Sequence, residues 1–291
     1  MASLPLQRAC LRTVGPHGER TNLSIGRTAT TLSSRQKLLP MKLSGNTILI
    51  TGGTSGIGRA LAEALHDRGN RVIVTGRRQE LLDEIAAARP GIAGLQLDVD
   101  NAASLARAGA QLKARHADLN VVIANAGISR AEDMAADDWS TGDAEAIVQT
   151  NILGVLRIAA AVLPLLKGRP NAAFLATGSA LAFVPRADFA AYCASKAFLH
   201  SWLQSLRHQL RRVPVEVLEI SPPYLQTTLT GAHQAQDPRA MPVAQYVAEV
   251  LRMLEAGETP RGEVLLARDL PRRWAEREGR FEEVFSAMNP G

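Results

Sequence analysis

Three polar residues, Ser179, Tyr192 and Lys196, have types and spacings that suit proton transfer. Tyr192 and Lys196 are four positions apart in a helical pattern, so their side chains would share one face of the helix. An ammonium beside a phenol favours the phenolate and lowers a pKa that starts at about 10, which a general acid–base needs near neutral pH. Coincidence is a poor explanation of the pair, because the 291 residues include only three tyrosines and five lysines.

A glycine-rich turn near residue 52 has the features of a phosphate-binding loop. An apolar run, 48–50, leads into Thr51-Gly-Gly-Thr-Ser-Gly-Ile-Gly58, and an amphipathic helical pattern follows at once. Glycines let the main chain approach a ligand closely, and the helix N-terminus offers free N–H groups and the positive end of a dipole. An ordinary glycine-rich turn is the alternative. The strand pattern before it and the helix pattern after it favour a dinucleotide site, although the spacing is not Gly-x-Gly-x-x-Gly.

The elements that must position these residues alternate along the chain. Apolar runs that suit buried parallel strands occur at 46–51, 71–75, 92–97, 119–124, 171–177, 214–220 and 262–267. Helical patterns lie near 57–68, 78–88, 101–115, 143–166, 190–211 and 242–256. Strands separated by crossover helices predict an α/β fold, a doubly wound parallel sheet of about seven strands with helices on both faces. With no internal repeat or linker, residues 41–291 are predicted to form one domain.

Together, the glycine turn and the Tyr-x-x-x-Lys pair resemble the short-chain dehydrogenase/reductase family, and the match runs from about Lys42 to Leu266. The resemblance implies a nicotinamide-dependent enzyme that interconverts a carbonyl and a secondary alcohol by hydride transfer. It assigns Ser179 to hydrogen-bond the substrate oxygen and Tyr192 to pass the proton. It assigns Lys196 to bind the nicotinamide ribose while holding down the tyrosine pKa.

Two further polar residues belong to this resemblance. Asn151 matches the family's helix asparagine, which holds a water in a proton relay; a buried amide that satisfies the backbone is the alternative. Ser195 competes with Ser179, but it lies inside the helix only three residues after Tyr192, so Ser179 is preferred. The predicted catalytic set is therefore Asn151, Ser179, Tyr192 and Lys196.

The resemblance also implies a row of cofactor contacts. Ala124-Asn-Ala-Gly127 is similar to the family's Asn-Asn-Ala-Gly, and Asp98-Val99 is similar to the pair that contacts adenine. The predicted contacts are Gly52, Thr54, Ser55, Gly56, Ile57, Gly58, Arg77, Asp98, Val99, Asn125, Ala126, Gly127, Tyr192, Lys196, Pro222, Leu225 and Thr227. One departure is Pro223, which stands where the family has glycine, removes an N–H and fixes φ. The Pro-Pro pair and the Trp- and Phe-bearing C-terminal tail resemble the DltE-type branch of the family.

The end of the second strand predicts which cofactor is used. NAD enzymes of this fold usually place an acid there, on the ribose hydroxyls. Here Gly76 stands in that place, followed by Arg77 and Arg78. A guanidinium can bind a 2′-phosphate with two hydrogen bonds, so NADP is predicted over NAD, with Arg77 as the main contact. The alternative is that both arginines merely begin a solvated helix.

Charge and composition exclude several classes of protein. The net charge of +5 lies in residues 1–40, which carry six basic residues and one acid, while the rest has 27 of each. A nucleic-acid face is therefore not expected. The longest unbroken apolar run, near 158–166, is too short to cross a membrane, so no membrane insertion is expected. Residues 1–40 resemble an organelle transit peptide, or Met41 is the true start; a dispensable arm in a cytoplasmic protein is favoured.

The remaining patterns are less specific. Cys10 and Cys193 form no disulfide framework, and six scattered histidines give no metal site. The irregular segment 223–241 is a candidate substrate lid, in which His233 is expected to be exposed. The apolar residues of the tail, 271–288, cover the domain or a second subunit. Family resemblance implies a homodimer or homotetramer through 143–166 and 190–211.

Two other functions compete with the enzyme. A cofactor-binding regulatory or scaffold protein without turnover could lose its tyrosine or lysine freely, whereas here all four catalytic candidates are present. A sugar-nucleotide epimerase or dehydratase is disfavoured by the glycine spacing and by the lack of a substantial second domain. The expected substrate is a small carbonyl or alcohol compound.

Overall fold

The computed structural model of the protein describes residues 40–290. They contain seven strands, each close to its predicted position. The strands are β1 Thr47–Ile50, β2 Arg71–Gly76, β3 Ile92–Gln96, β4 Val121–Ala124, β5 Ala172–Thr177, β6 Val215–Ser221 and β7 Glu263–Leu265. All seven pair in parallel in one sheet of order β3-β2-β1-β4-β5-β6-β7. This confirms the predicted doubly wound parallel sheet.

Helices cover both faces of the sheet. They are α1 Gly56–His66, α2 Gln79–Ala88, α3 Ala102–Arg115, α4 Gly142–Ile147, α5 Val155–Leu166, α6 Ala190–Gln209, α7 Val243–Ala256, α8 Leu270–Trp274 and α9 Phe281–Met288. Alternate residues of each strand enter opposite cores: Ile48 and Ile50 pack with α1 and α7, while Leu49 packs with α3, α5 and α6. Because most strand residues are buried, the strands are largely apolar, with exceptions such as Glu216 and Glu219 on β6, and this is why they could be located from the sequence.

The long helix between β4 and β5 differs from its prediction as a regular helix over 143–166. A π-helical turn, Val148–Gly154, separates α4 from α5. The helix Gly142–Leu166 is long enough to cross a membrane and contains an 18-residue stretch apolar enough to do so, with a mean hydropathy of 1.8. Polar residues such as Gln149 and Arg157 hide this from a search for unbroken apolar runs. Its contacts with α3, β4 and β5 place it in the helical layer of the sheet, which accounts for the apolar residues on its buried side.

Both ends of the domain pack against the rest of the domain. The backbone N–H of Met41 donates to Leu254 at 2.9 Å, and Leu43 is buried in the core. The predicted arm, 1–40, lies almost entirely outside the described residues. At the other end, the Asn289 side chain accepts a hydrogen bond from the N–H of Ala187 and donates one to the carbonyl of Pro185. The tail thus packs on its own domain, beside the loop that leads into α6.

Candidate active site

A cleft of about 820 Å³ lies at the carboxyl ends of the strands, where open α/β sheets bind ligands. Most of the residues predicted from the sequence line it. These are Gly52, Thr54, Ser55, Gly56, Ile57, Arg77, Asp98, Val99, Asn125, Ala126, Gly127, Ser179, Tyr192, Lys196, Pro222, Leu225 and Thr227. The two exceptions are Gly58 and Asn151. The topology therefore brings together, at one edge, residues spread over more than half of the chain.

The glycine turn has a backbone that a ligand could approach closely. Gly52 and Gly56 have φ of +64° and +53°, a region that favours glycine. A β-carbon on Gly52 would lie 2.9 Å from Cα of Ala126, so the turn also packs tightly on the strand end opposite. Gly58 was predicted to contact the cofactor. Instead it lies behind the turn, where a β-carbon would overlap the carbonyl of Gly52 and the side-chain amide of Asn125.

The three residues predicted to transfer a proton line the same cleft, as expected from their spacing. Ser179 follows β5, and Tyr192 and Lys196 share one face of α6, with the Lys196 Nζ 5.6 Å from the centre of the Tyr192 ring. Nζ donates to the carbonyl of Thr177 at 2.7 Å. All three side chains are buried apart from the part that faces the cleft. The arrangement places a hydroxyl, a phenol and an amine around one point of the cleft wall.

Burial has the largest effect on the pKa values of Tyr192 and Lys196. It raises the pKa of Tyr192 to about 12, with hydrogen bonding by Ser179 acting in the opposite direction. It lowers the pKa of Lys196 to about 8, and the charge of Glu219 acts against that fall. The expected lowering of the phenol pKa was therefore wrong in direction for the protein residues by themselves, because the loss of water outweighs the hydrogen bond with Ser179. A phenol with this pKa is protonated at neutral pH and can act as a proton donor.

Asn151 and Ser195 hold the backbone rather than face the cleft. Oδ1 of Asn151 accepts the N–H of Ile128 at 2.9 Å, while its Nδ2 donates to the Ile128 carbonyl and to Oγ of Ser195. Ser195 in turn donates to the carbonyl of Tyr192. The side chain of Asn151 thus links the loop after β4 to α6, as in the alternative of a buried amide that satisfies the backbone. Its role in a proton relay stays a prediction.

Two cationic side chains follow β2 at the cleft. Arg77 and Arg78 both line the cleft, and neither forms an ion pair with any residue of the described range. The space beside Gly76 is partly filled, because a β-carbon there would lie 2.7 Å from Cγ2 of Thr54. Asp98, on the neighbouring strand end, accepts the N–H of Asp100.

The lid segment, 223–241, contributes one wall of the cleft. Pairing of Leu225 with Met241 closes its base, and the buried Gln234 donates to the Leu225 carbonyl at 2.8 Å. Gln234 and Leu229 line the cleft, whereas His233 is exposed, as expected. Despite Pro223, a backbone hydrogen bond joins the start of this loop to the turn after β5, since the N–H of Ala180 donates to the carbonyl of Pro222.

Several cleft residues were missed from the sequence because they belong to no motif; most lie in irregular segments, and Thr150 lies on the π-helical turn. They include Ile128, Arg130, Thr150, Thr228, Leu229 and Gln234. A polar glutamine within an otherwise structureless stretch gives no signal of being buried. The one available signal was that the segments after β4 and β6 begin at the carboxyl edge of the sheet, where such folds bind ligands.

This fold and this cleft define a Rossmann-type nucleotide-dependent oxidoreductase. The family model for short chain dehydrogenase matches residues 46–238, and the chain belongs to that family. It is therefore an NAD(P)-dependent oxidoreductase.

Individual relatives agree with this assignment. The oxidoreductase DltE of Bacillus subtilis is 36% identical over 224 residues, 75% of this chain and 88% of DltE. The NADP-dependent 3-hydroxy acid dehydrogenase YdfG of Salmonella typhi is 33% identical over 183 residues, 60% of this chain and 71% of YdfG. A short chain dehydrogenase of Burkholderia cenocepacia, solved in complex with NADP, superposes with a TM-score of 0.71 at 27% identity, covering 86% of this chain and 100% of that one.

Proposed function

We propose that the protein is an NADP(H)-dependent oxidoreductase that interconverts a carbonyl and a secondary alcohol. The observation that carries the proposal is the meeting of Ser179, Tyr192 and Lys196 at the cleft wall, with the phenol buried and protonated. A cofactor-binding scaffold without turnover has no use for a proton donor in this position.

The roles of the three side chains follow from their positions. NADP(H), when bound, supplies or accepts the hydride. Ser179 would donate a hydrogen bond to the substrate oxygen, since its hydroxyl faces the cleft and accepts the N–H of Leu181 with its own oxygen. Tyr192 would give its proton to the same oxygen as negative charge develops there. Lys196 would hold the ribose by an ammonium hydrogen bond, beside Gly127, which leaves room for it.

The choice of NADP over NAD rests on the end of β2. Arg77 and Arg78 carry positive charge into the cleft without a carboxylate partner in the described part of the chain. A 2′-phosphate on the adenosine ribose would supply that partner. No acid competes from position 76, because that residue is glycine, and Thr54 partly fills the space beside it.

We expect the protein to bind NADPH about tenfold to a hundredfold more tightly than NADH, since a paired charged contact contributes roughly 1.5–3 kcal/mol. Fluorescence titration measures both affinities. The triple change Thr54→Ser, Gly76→Asp, Arg77→Ala should reverse the preference, with Thr54→Ser included to remove the methyl group that blocks a side chain at 76. Thr54→Ser alone, the control, should leave the preference in place. Equal affinity of the unmodified protein for both cofactors would refute the assignment.

The oligomeric state is proposed from exposed apolar residues on two helices. Val148 and Leu153 on the π-helical turn and Phe198 on α6 are 42%, 36% and 39% exposed. We expect light scattering to give the mass of two or four chains, with these helices at an interface. Leu153→Glu should reduce the mass, whereas Ala103→Glu on the exposed side of α3 should not. A single-chain mass for the unmodified protein would contradict the proposal.

The lid segment would determine the substrate. Leu229 presents an apolar side chain to the cleft, and the hydrogen bonds of Gln234 fix the segment around it. A small carbonyl compound would therefore lie between Leu229, Ile128 and the proton-transfer residues. Activity with a panel of ketones, aldehydes and hydroxy acids, compared between the unmodified protein and Leu229→Ala, tests this placement; an identical substrate profile would contradict it.

A further inference from the structure

A buried acid and a mostly buried histidine lie behind the catalytic serine, outside the cleft. The Glu219 side chain, on β6, is 1% exposed, and its Oε2 is 2.7 Å from Nδ1 of His200 on α6. Its Oε1 accepts the hydroxyl of Ser221 at 3.0 Å. A carboxylate in such a place is costly unless it is paired and hydrogen-bonded. The proposed chemistry gives Glu219 no role.

Glu219 supports the turn that carries Ser179. The preceding residue, Gly178, has no side chain, and a β-carbon there would overlap the Glu219 carboxylate. The N–H of Gly178 donates to Ile220 at 2.8 Å, so this turn lies directly on the end of β6. The backbone next to the catalytic serine therefore rests on the buried acid.

The same acid also acts on the catalytic lysine, because its charge opposes the lowering of the Lys196 pKa by burial. Lys196 lies one helical turn before His200 on the face of α6 that packs on β5 and β6, and its own hydrogen bond goes to the uncharged carbonyl of Thr177, next to Gly178. Glu219 is the charged group that acts on Lys196.

Within residues 40–290 the ion pair of Glu219 is with His200, and its charge also acts on Arg207 and Arg273. The charged and titratable groups that face it are Lys196, His200 and Arg207 on α6, Glu263 on β7 and Arg273 on α8. Glu263 is opposite Glu219 in the sheet, but Nε and Nη2 of Arg273 bind its two oxygens at 2.8 and 2.9 Å. Arg207 donates to the carbonyl of Val217.

We propose that Glu219 is a positioning residue of the catalytic centre, whose carboxylate balances the Lys196 ammonium and supports the Gly178–Ser179 turn, with His200 fixing its orientation. The proposal rests on the proposed function, which gives Lys196 its catalytic role, but its test does not need turnover. If Glu219 is the counter-charge, its removal must make Lys196 lose its proton at lower pH, because the ammonium loses a favourable interaction while its burial is unchanged.

The protonation of Lys196 can be measured directly in the full chain. Acetic anhydride reacts with the neutral amine, so labelling at a series of pH values, read by peptide mass spectrometry, gives a midpoint for each of the five lysines. The unmodified protein should give a midpoint near the pKa of about 8 for Lys196. In Glu219→Gln, which keeps the shape, it should fall by on the order of one pH unit. Glu219→Asp keeps the charge and should show less than half of that fall.

The matched control is Glu216→Gln, which removes a carboxylate from the same strand but from the opposite face. It should leave the midpoint unchanged. If Glu219→Gln does not fold, the double change Glu219→Leu, His200→Leu removes the pair together and should give the same fall. An unchanged midpoint, equal shifts in the Gln and Asp variants, or an equal shift in the control would overturn the proposal. Failure of NADPH to protect Lys196 from labelling would instead count against the proposed function.

Discussion

Tyr192→Phe is expected to reduce turnover by roughly 10²–10⁴-fold, because this change removes the proton donor and nothing else. The ring stays in place against Ile147 and Cys193, so the packing of α6 is kept. Affinity for NADPH should stay within a few fold of the original, since Lys196 remains. Steady-state rates on a confirmed substrate, together with a fluorescence titration of NADPH, measure the two effects separately.

A second tyrosine provides the control. Tyr224 lies in the lid segment, is 37% exposed and donates to Asp237 at 3.2 Å. Tyr224→Phe removes the same hydroxyl from a surface position, so turnover should change little. If Tyr192→Phe kept more than about a tenth of the original turnover, Tyr192 would not be the proton donor.

Lys196→Met is expected to damage both binding and turnover. Methionine fills a similar volume in the buried site but cannot donate to the ribose, which should weaken NADPH binding about tenfold to a hundredfold, or roughly 1.5–3 kcal/mol. The phenol loses its neighbouring cation as well, so turnover should fall further. Titration of NADPH and single-turnover rates with bound NADPH separate the two losses.

The same variant tests the pH dependence of binding. Because burial lowers the pKa of Lys196 to about 8, the ammonium is present below that pH and is lost above it. NADPH affinity of the unmodified protein should therefore fall as the pH rises through about 8, and this step should be absent in Lys196→Met. Lys167→Met, at an exposed position after α5, should keep it. A step of the same size in the protein without Lys196 would show that another group titrates.

Regular structure could be predicted because it follows from local periodicity. Strands such as β1 and β4 are buried on both faces and read as short apolar runs, and Tyr192 and Lys196 meet because four residues make about one helical turn. The π-helical turn could not be predicted, since its inserted residue leaves the apolar pattern of Gly142–Leu166 nearly unchanged.

Properties that depend on contacts between distant parts of the chain could not be predicted from the sequence. The pKa of Tyr192 depends on how completely the fold removes water from the phenol, and spacing carries no information on this. Glu219 reads as an ordinary charged residue in a strand, and only the packing of α6 on β6 shows that it lies under Gly178. Gly58 belongs to a motif, yet its neighbours are Gly52 and Asn125, 73 positions apart in the chain.

The Thr54 methyl group partly fills the space beside Gly76, and this also limits how the protein could evolve. A glycine codon can become an aspartate codon by one base change, which would seem an easy route from one cofactor to the other. Here the new side chain would meet the Thr54 methyl group at 2.7 Å, so the benefit of an acid at 76 depends on what stands at 54. The two positions are epistatic. A lineage that changes its cofactor must alter Thr54 or turn its side chain aside before, or together with, a change at Gly76.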